Sequence, residues 1–268
     1  MQPELSVVIP THNRRPILER KLSAMAGETN SFEVIVVAAG CSDDTLDFLA
    51  SYQPPYPLTV IPGPDRFAAY SRNRGAEAAR GRVLLFTDDD VVSRPGFLAA
   101  HIKLHYQPGR VGVSRMVLPA HLKEGEVFAG RAYWWNANGR GTSIPAALFK
   151  QVGGYDETYD SYGGEDPDLG WRLFKAGAKF VYLPEAVAEH WDESYSQSVG
   201  RKAFQAGEAH VKVWRKYGDN RVAWALGIHP LLLRAKIAFY SRFAGRWGRR
   251  GEFELAYARG AWQELAIK

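Results

Sequence analysis

Short apolar runs at residues 5–10, 33–38, 58–61 and 82–87 alternate with helical patterns at 17–26, 43–51 and 68–79, and this alternation leaves few folds open to the chain. A strand that reads as a continuous apolar run is covered on both faces, and such strands joined through helices build a parallel sheet. The expected class is therefore α/β, with a mostly parallel sheet flanked by helices. Open sheets of this kind bind ligands beyond the carboxyl ends of their strands. Polar residues collect at those ends: Thr11-His12-Asn13-Arg14 after the first run, residues 40–45 after the second, and Asp88-Asp89-Asp90 after the fourth. Three adjacent carboxylates after an apolar run call for a cation to gather them, and their oxygens suit a hard divalent ion, Mg2+ or Mn2+. Such an ion would grip diphosphate oxygens and stabilise charge on a departing phosphate. Read alone, the run describes a solvated acidic turn capping the next helix at Pro95 equally well.

At 268 residues the chain is long enough for one large α/β domain, or one domain plus a helical extension. The single cysteine, Cys41, excludes an internal disulfide and a multi-cysteine metal site, and fits a reducing, cytoplasmic setting. The chain passes into its first strand within a few residues, so no signal peptide is expected. No stretch reaches ~18 uninterrupted apolar residues, so no membrane-spanning helix is expected either. The net charge of +5 is unevenly spread: residues 200–250 hold twelve Lys and Arg against Glu208 and Asp219, a local +10, which leaves −5 for the remainder. Trp214, Trp224, Leu231, Phe239, Tyr240, Phe243 and Trp247 interleave with this charge. Two readings follow. The segment forms amphipathic helices on an anionic membrane surface, peripheral on the inner face of the plasma membrane, or it packs on the main body with its cationic faces in water. Nucleic acid is not expected as a partner, since no helix-turn-helix, RNA-binding or zinc-finger signature accompanies the charge. Pro10-Thr11-His12-Asn13 after the first strand has no glycine-rich loop, which sets aside nicotinamide dehydrogenases and nucleotidylyltransferases.

Past residue 105 the regularity weakens. Glycines and aromatics crowd into 128–141, and Gly153-Gly154 and Gly163-Gly164 bracket a loop of the kind that shapes binding clefts. A helix is predicted from Glu165-Asp166-Pro167 to about Gly177, with carboxylates at its positive end and proline where it is tolerated. A strand at 179–183 follows, and from Gln197 onward the pattern is helical.

Several of these pieces resemble the family 2 glycosyltransferases. They are Val7-Val8-Ile9-Pro10-Thr11-His12-Asn13-Arg14, Glu33-Val34-Ile35-Val36-Val37 with Gly40 and Asp43-Asp44-Thr45, Ser71-Arg72-Asn73-Arg74-Gly75, the D-x-D of Asp88 and Asp90, and Gly164-Glu165-Asp166 ahead of Arg172. The motifs stand in the family's order across about residues 5–192. The resemblance implies a GT-A fold: a catalytic domain at 1–195, with a nucleotide-sugar half (1–105) and an acceptor half (106–195), and a basic helical extension at 196–268. It implies an inverting, metal-dependent transferase that moves a sugar from a nucleotide diphosphate donor onto a hydroxyl of a glycan or lipid-linked acceptor, in cell-envelope polysaccharide or glycolipid synthesis. A protein of the same fold that binds nucleotide sugar or glycan without turnover is the alternative.

The resemblance also assigns roles. Asp88 and Asp90 would hold Mn2+ or Mg2+, with His190 as a third ligand or as a structural histidine; Asp89 would shape the turn or touch the ribose. Asp166 is the candidate base and Glu165 its neighbour orienting acceptor or donor, against the plainer reading that the pair only favours the helix end. Arg66 and Arg72 with Asn73 would meet the diphosphate, while Arg74 does so or faces solvent. Pro10, Thr11, Asn13, Arg14, Gly40 and Asp43 fall on the nucleotide side. Trp134, Trp135 and Gly164 fall on the acceptor side, one tryptophan stacking on a sugar ring or filling core. One departure stands out. The family usually carries Asp-Asp before the glycine after the second strand, and its aspartate there commonly bonds the base; this chain has Ala38-Ala39-Gly40. Base recognition then passes to backbone, Thr11 or Asp43, or the donor carries guanine or thymine.

Overall fold

A computed structural model describes residues 2–119, 126–128, 130–159, 161–191 and 195–267. The first half runs β1 (Leu5–Thr11), α1 (Arg15–Ala24), β2 (Phe32–Ala39), α2 (Thr45–Ser51), β3 (Leu58–Gly63), α3 (Ala68–Ala78), β4 (Val83–Phe86), β5 (Val91–Ser93) and α4 (Phe97–Leu104). Then come β6 (Arg110–Val117), β7 (Glu126–Phe128), a 3-10 turn at Trp134–Asn136, β8 (Thr142–Pro145), α5 (Ala146–Gln151), α6 (Glu165–Lys175) and β9 (Lys179–His190). The helices α7 (Tyr195–Tyr217), α8 (Asn220–Ala225), α9 (Pro230–Phe243) and α10 (Gly248–Ala266) follow.

Among the described residues the strands form one sheet in the order β3-β2-β1-β4-β8-β6-β9-β5, with β7 on β6. The first four are parallel, as their apolar runs require, and every residue of β2 is buried. Successive side chains of a strand point to opposite faces. Val7, Ile9, Val34, Val36 and Leu85 accordingly meet Leu18, Leu22, Phe97 and Leu98 on one side of the sheet. Val8, Ile35, Val37, Leu84 and Phe86 meet Ala69, Phe149 and Leu169 on the other. Beyond β4 the sheet becomes mixed: β8 is antiparallel to β4 and β6, β5 is antiparallel to β9, and β6 and β9 are parallel. β9 runs on past the expected end at Leu183, through an irregularity opposite Ser114 and Arg115, and pairs His190 with Val91 of β5. This extension carries His190 back to the aspartates.

The C-terminal helices share a second core with the body, built from Trp134, Trp171, Val211, Val213, Val222, Tyr257 and Ala261. α7 and α10 cross closely at Gly207 and Gly260, where an added Cβ would lie 2.2 Å from Tyr257 O and 2.1 Å from Phe204 O, so nothing larger than glycine fits. Buried Asp168 of α6 ties the two parts together by accepting from Arg172, from Lys216 Nζ at 2.6 Å and from Tyr217 Oη at 2.6 Å. Much of the extension's apolar surface nevertheless stays outside: Trp224, Leu231, Phe239 and Trp247 are exposed. The segment Asn220–Phe243 is, by length and composition, apolar enough to cross a membrane, with only 28% of its most apolar stretch buried. The sequence expectation counted uninterrupted apolar residues and so passed over it, because Arg234 and Lys236 interrupt the run. In the structure a turn at Gly227 (φ +70°) divides it into α8 and α9.

Candidate active site

The carboxyl ends of β1 and β4, the start of α3, the start of α6 and the helices α7 and α10 enclose a cleft of about 680 Å3. Asp88, Asp89 and Asp90 lie on its floor. They are not a solvated turn: Asp89 is 5% and Asp90 7% exposed, and α4 begins at Phe97 after Gly96 with no side-chain cap. Thr11 Oγ1 donates to Asp89 Oδ2 at 2.8 Å, and one Arg14 nitrogen bridges Asp89 Oδ1 at 3.1 Å and Asp90 Oδ2 at 2.8 Å. Beneath them the ammonium of buried Lys21 donates to Thr87 Oγ1 at 2.9 Å and to the Val91 carbonyl, gripping the loop from both ends. Burial draws the Lys21 pKa down to about 8 while the aspartates pull it upward, and burial pushes Asp89 up to about 6 against the pull of Arg14.

Asp90 Oδ1 has no hydrogen-bond partner although it is buried, and it stands 3.7 Å from His190 Nε2. A buried, unsatisfied carboxylate oxygen is costly without a cation or donor, and carboxylate with imidazole is a donor set that suits Mn2+. The donor set fits a divalent ion by that test. The three expected ligands do not stand together as a finished cage, however; among the described residues no group of three His, Cys, Asp or Glu does. Asp88 instead pairs with Arg72 at 2.9 Å.

Arg72 is the hub of the opposite wall. Its side chain, 5% exposed, also lies 3.4 Å from Glu165 and 3.5 Å from Asp166, so it joins the end of β4 to the start of α6. Gly139 makes this possible, since a Cβ there would fall 2.0 Å from the guanidinium. Asp166 Oδ1 also accepts from Gly139 N at 3.2 Å. Burial pushes Asp166 up to about 7; Arg72 opposes that, and the nearby carboxylates Glu165 and Asp88 reinforce it. A carboxylate held near neutrality in a cleft is suited to taking a proton at physiological pH.

The remaining expected residues divide by position. Pro10, Thr11, Arg14 and Arg66 line the cleft, as does Trp135, whose ring stacks on Tyr133 at 4.4 Å. Trp134 is buried against Trp171, so of the two tryptophans only Trp135 is offered to a ligand. Asn13 (φ +52°) holds the β2 end by accepting from Ser42 N and Asp43 N, and Asp43 accepts from Thr45 N at the start of α2. Asn73 exchanges hydrogen bonds with the backbone of Tyr155, and Gly164 is packed on Tyr159. Asn13, Gly40, Asp43, Asn73 and Gly164 thus shape the walls without lining the cleft. Arg74 pairs with Glu77 outside it. Sequence reasoning missed Lys21, although it falls between Leu18 and Leu22 on the apolar face of α1, a legible sign of a buried cation. It also missed Tyr162, in the loop before α6, and Lys202, His210 and Phe253, which reach the cleft because α7 and α10 fold back over it.

The sequence model described as "Glycosyl transferase family 2" matches residues 6–155, and one described as "N-terminal domain of galactosyltransferase" matches 125–192. A validoxylamine A glucosyltransferase of Streptomyces hygroscopicus subsp. jinggangensis is 29% identical over 69% of this chain and 54% of its own length. A pre-mycofactocin glycosyltransferase of Mycobacterium tuberculosis is 29% identical over 77% of this chain and 47% of its own. The chain thus spans about half the length of these curated relatives. Among solved structures, a mannosyltransferase from Pyrobaculum calidifontis in complex with GDP-Man and Mn2+ superposes with a TM-score of 0.71 at 18% identity, covering 100% of this chain and 88% of that one. The fold is the GT-A type, with a helical C-terminal part.

Proposed function

This chain belongs to glycosyl transferase family 2, and we propose that it transfers a sugar from a nucleoside diphosphate donor to an acceptor hydroxyl with inversion at the anomeric carbon. The observation that carries the proposal is the meeting in one cleft, around buried Arg72, of Asp88 from the end of β4 with Glu165 and Asp166 from the start of α6. Asp88, Asp90 and His190 would hold a divalent ion, which when bound neutralises the leaving diphosphate. The Mn2+ in the mannosyltransferase complex supports this choice. Arg14, which lines the cleft and pairs with Asp89 and Asp90, would bind phosphate oxygens. Asp166 accepts the acceptor proton as the acceptor oxygen bonds to the anomeric carbon and the bond to the diphosphate oxygen breaks. Glu165 orients the acceptor or the donor sugar. Trp135 gives the acceptor an aromatic face.

Residues 1–195 form the catalytic unit in this reading, divided near 105 into donor and acceptor halves, and 196–268 form the extension, which lends α7 and α10 to the acceptor wall. The acceptor is a glycan or lipid-linked precursor of the cell envelope. The protein works on the cytoplasmic side, where the exposed Trp224, Leu231, Phe239 and Trp247 with the arginines of α9 and α10 rest on an anionic membrane. Thermal-shift screening of nucleoside diphosphates with and without Mn2+ tests the donor reading, because a ligand that binds the folded state raises its melting temperature. At least one should stabilise the protein only with the metal. If none does at millimolar concentration, the donor reading fails.

A further inference from the structure

We infer that the acceptor carries an anionic group, a phosphate or a carboxylate, and that Arg140 with Tyr162 receives it beside Asp166. The inference rests on the sugar-transfer reading above and deepens it by naming the charge of the acceptor. The cleft is lined by the carboxylates of Asp88, Asp89, Asp90, Glu165 and Asp166, which repel an anionic substrate unless a cation meets it. Two of the lining arginines are already committed to those carboxylates: Arg14 to Asp89 and Asp90, and Arg72 to Asp88, Glu165 and Asp166. Arg66, in the loop before α3, lies 5.5 Å from the centre of the Tyr70 ring. Arg140 differs from all three. It lines the cleft half-buried, and among the described residues its guanidinium pairs with no carboxylate.

The backbone fixes Arg140 on the side of Asp166. Asn138 Oδ1 accepts from Arg140 N at 3.1 Å and Asn138 O from Thr142 Oγ1 at 2.6 Å, which ties the turn to β8, while Gly139 N donates to Asp166 Oδ1 at 3.2 Å. In an inverting transfer the base and the leaving group stand on opposite faces of the sugar, so a cation fixed beside the base meets the acceptor and not the departing diphosphate. Burial pushes the Tyr162 hydroxyl up to about 12 and the Arg140 charge pulls it back, which puts the guanidinium beside a hydroxyl that keeps its proton. Lys202 Nζ lies 5.8 Å from the centre of the same ring. A guanidinium presents a fork of N–H donors that matches the paired oxygens of a carboxylate or phosphate, and the hydroxyl adds a further donor. Partial burial of a guanidinium without a counter-ion is costly, and an anionic acceptor brings that counter-ion with it. A hydrogen-bonded charge pair of this kind corresponds to roughly 10–100-fold in affinity.

The test is titration of the full chain, in EDTA and without nucleotide, with glycerol 3-phosphate, glucuronate, glycerol and glucose, followed by the NMR shifts of arginine Nε–H and tryptophan indole groups. Wild type should bind at least one of the two anions roughly 10–100-fold more tightly than its neutral counterpart. A preference for glycerol 3-phosphate points to a phosphorylated acceptor, and one for glucuronate to an acidic sugar. Arg140→Gln should remove the advantage of the anion, Tyr162→Phe should reduce it, and Arg66→Gln should leave it unchanged. Arg140→Lys should keep part of it, which separates loss of the charge from loss of the fold. Anions bound no more tightly than their neutral counterparts, an advantage that survives Arg140→Gln, or one that Arg66→Gln removes equally, overturns the assignment. A protein that binds the anion through Arg140 but no nucleoside diphosphate in Mn2+ overturns the donor reading and leaves the anion site standing.

Discussion

Replacing Arg72 with methionine should damage the site in a way that depends on pH. The guanidinium is buried among Asp88, Glu165 and Asp166 at 2.9, 3.4 and 3.5 Å, whereas those carboxylates are 29%, 16% and 21% exposed. Breaking a buried pair by removing one partner costs about 3–5 kcal/mol, and the partial exposure of the carboxylates puts this case at the lower end, about 3 kcal/mol. For a chain of this size that is a drop of roughly 6–10 °C in melting temperature at pH 7.5. Asp166 is already raised above its unfolded value by burial, and Arg72 is the group that opposes the rise. Without it the folded-state pKa climbs further. A carboxyl whose folded pKa lies above its unfolded one favours the folded state as it protonates, so the deficit against wild type should shrink as pH falls from 7.5 to 5.5. Melting of both proteins across that range, followed by circular dichroism, measures the gap. A deficit under about 2 °C at pH 7.5, or one that stays constant with pH, would refute the claim that Arg72 is the counter-ion of this cluster.

Two further outcomes are expected. Because Asp166 must be ionised to accept a proton and burial holds it near 7, turnover at saturating donor should rise with pH through about 7 and fall about tenfold per unit below it; a flat profile from pH 5.5 to 8 removes Asp166 as the base. The protein should co-sediment with anionic but not zwitterionic liposomes at low salt, and changing exposed Arg242, Arg246, Arg249 and Arg250 to Gln should reduce this, since each cation near such a surface adds only ~1 kcal/mol; indifference of wild type to anionic liposomes would leave the exposed apolar face of α9 without a membrane role.

What was legible in the sequence follows from what was buried on both faces. β1, β2 and β4 read as mostly apolar runs because helices cover each side, and the aspartates stood out because they follow such a run. β6 and β8 were not readable: Arg110, Gly112 and Arg115 break the pattern of the first, and the second is only Thr142–Pro145. Their place is set by pairing with β4 and β9, which is tertiary information. The aspartates after β4 and the Glu165-Asp166 pair were legible as motifs, but the network that joins Asp88 to the pair through Arg72 was not, because it depends on the absence of a side chain at Gly139. The wall that α7 and α10 give the cleft was illegible for the same kind of reason. Lys202, His210 and Phe253 carry no motif and enter the cleft through a helix crossing at Gly207 and Gly260.

In the proposed mechanism Asp166 deprotonates an acceptor while metal held at Asp88 and Asp90 neutralises the leaving group. Release of nucleoside diphosphate from a panel of sugar nucleotides, measured for wild type, Asp90→Asn and Asp166→Asn with Mn2+ and with EDTA, tests it most directly. Wild type should release product only with the metal, Asp90→Asn should lose both metal-dependent donor binding and turnover, and Asp166→Asn should keep donor binding while kcat falls about 10²-fold or more. Undiminished turnover in EDTA would remove the metal from the leaving-group role, and undiminished turnover in Asp166→Asn would remove Asp166 as the base.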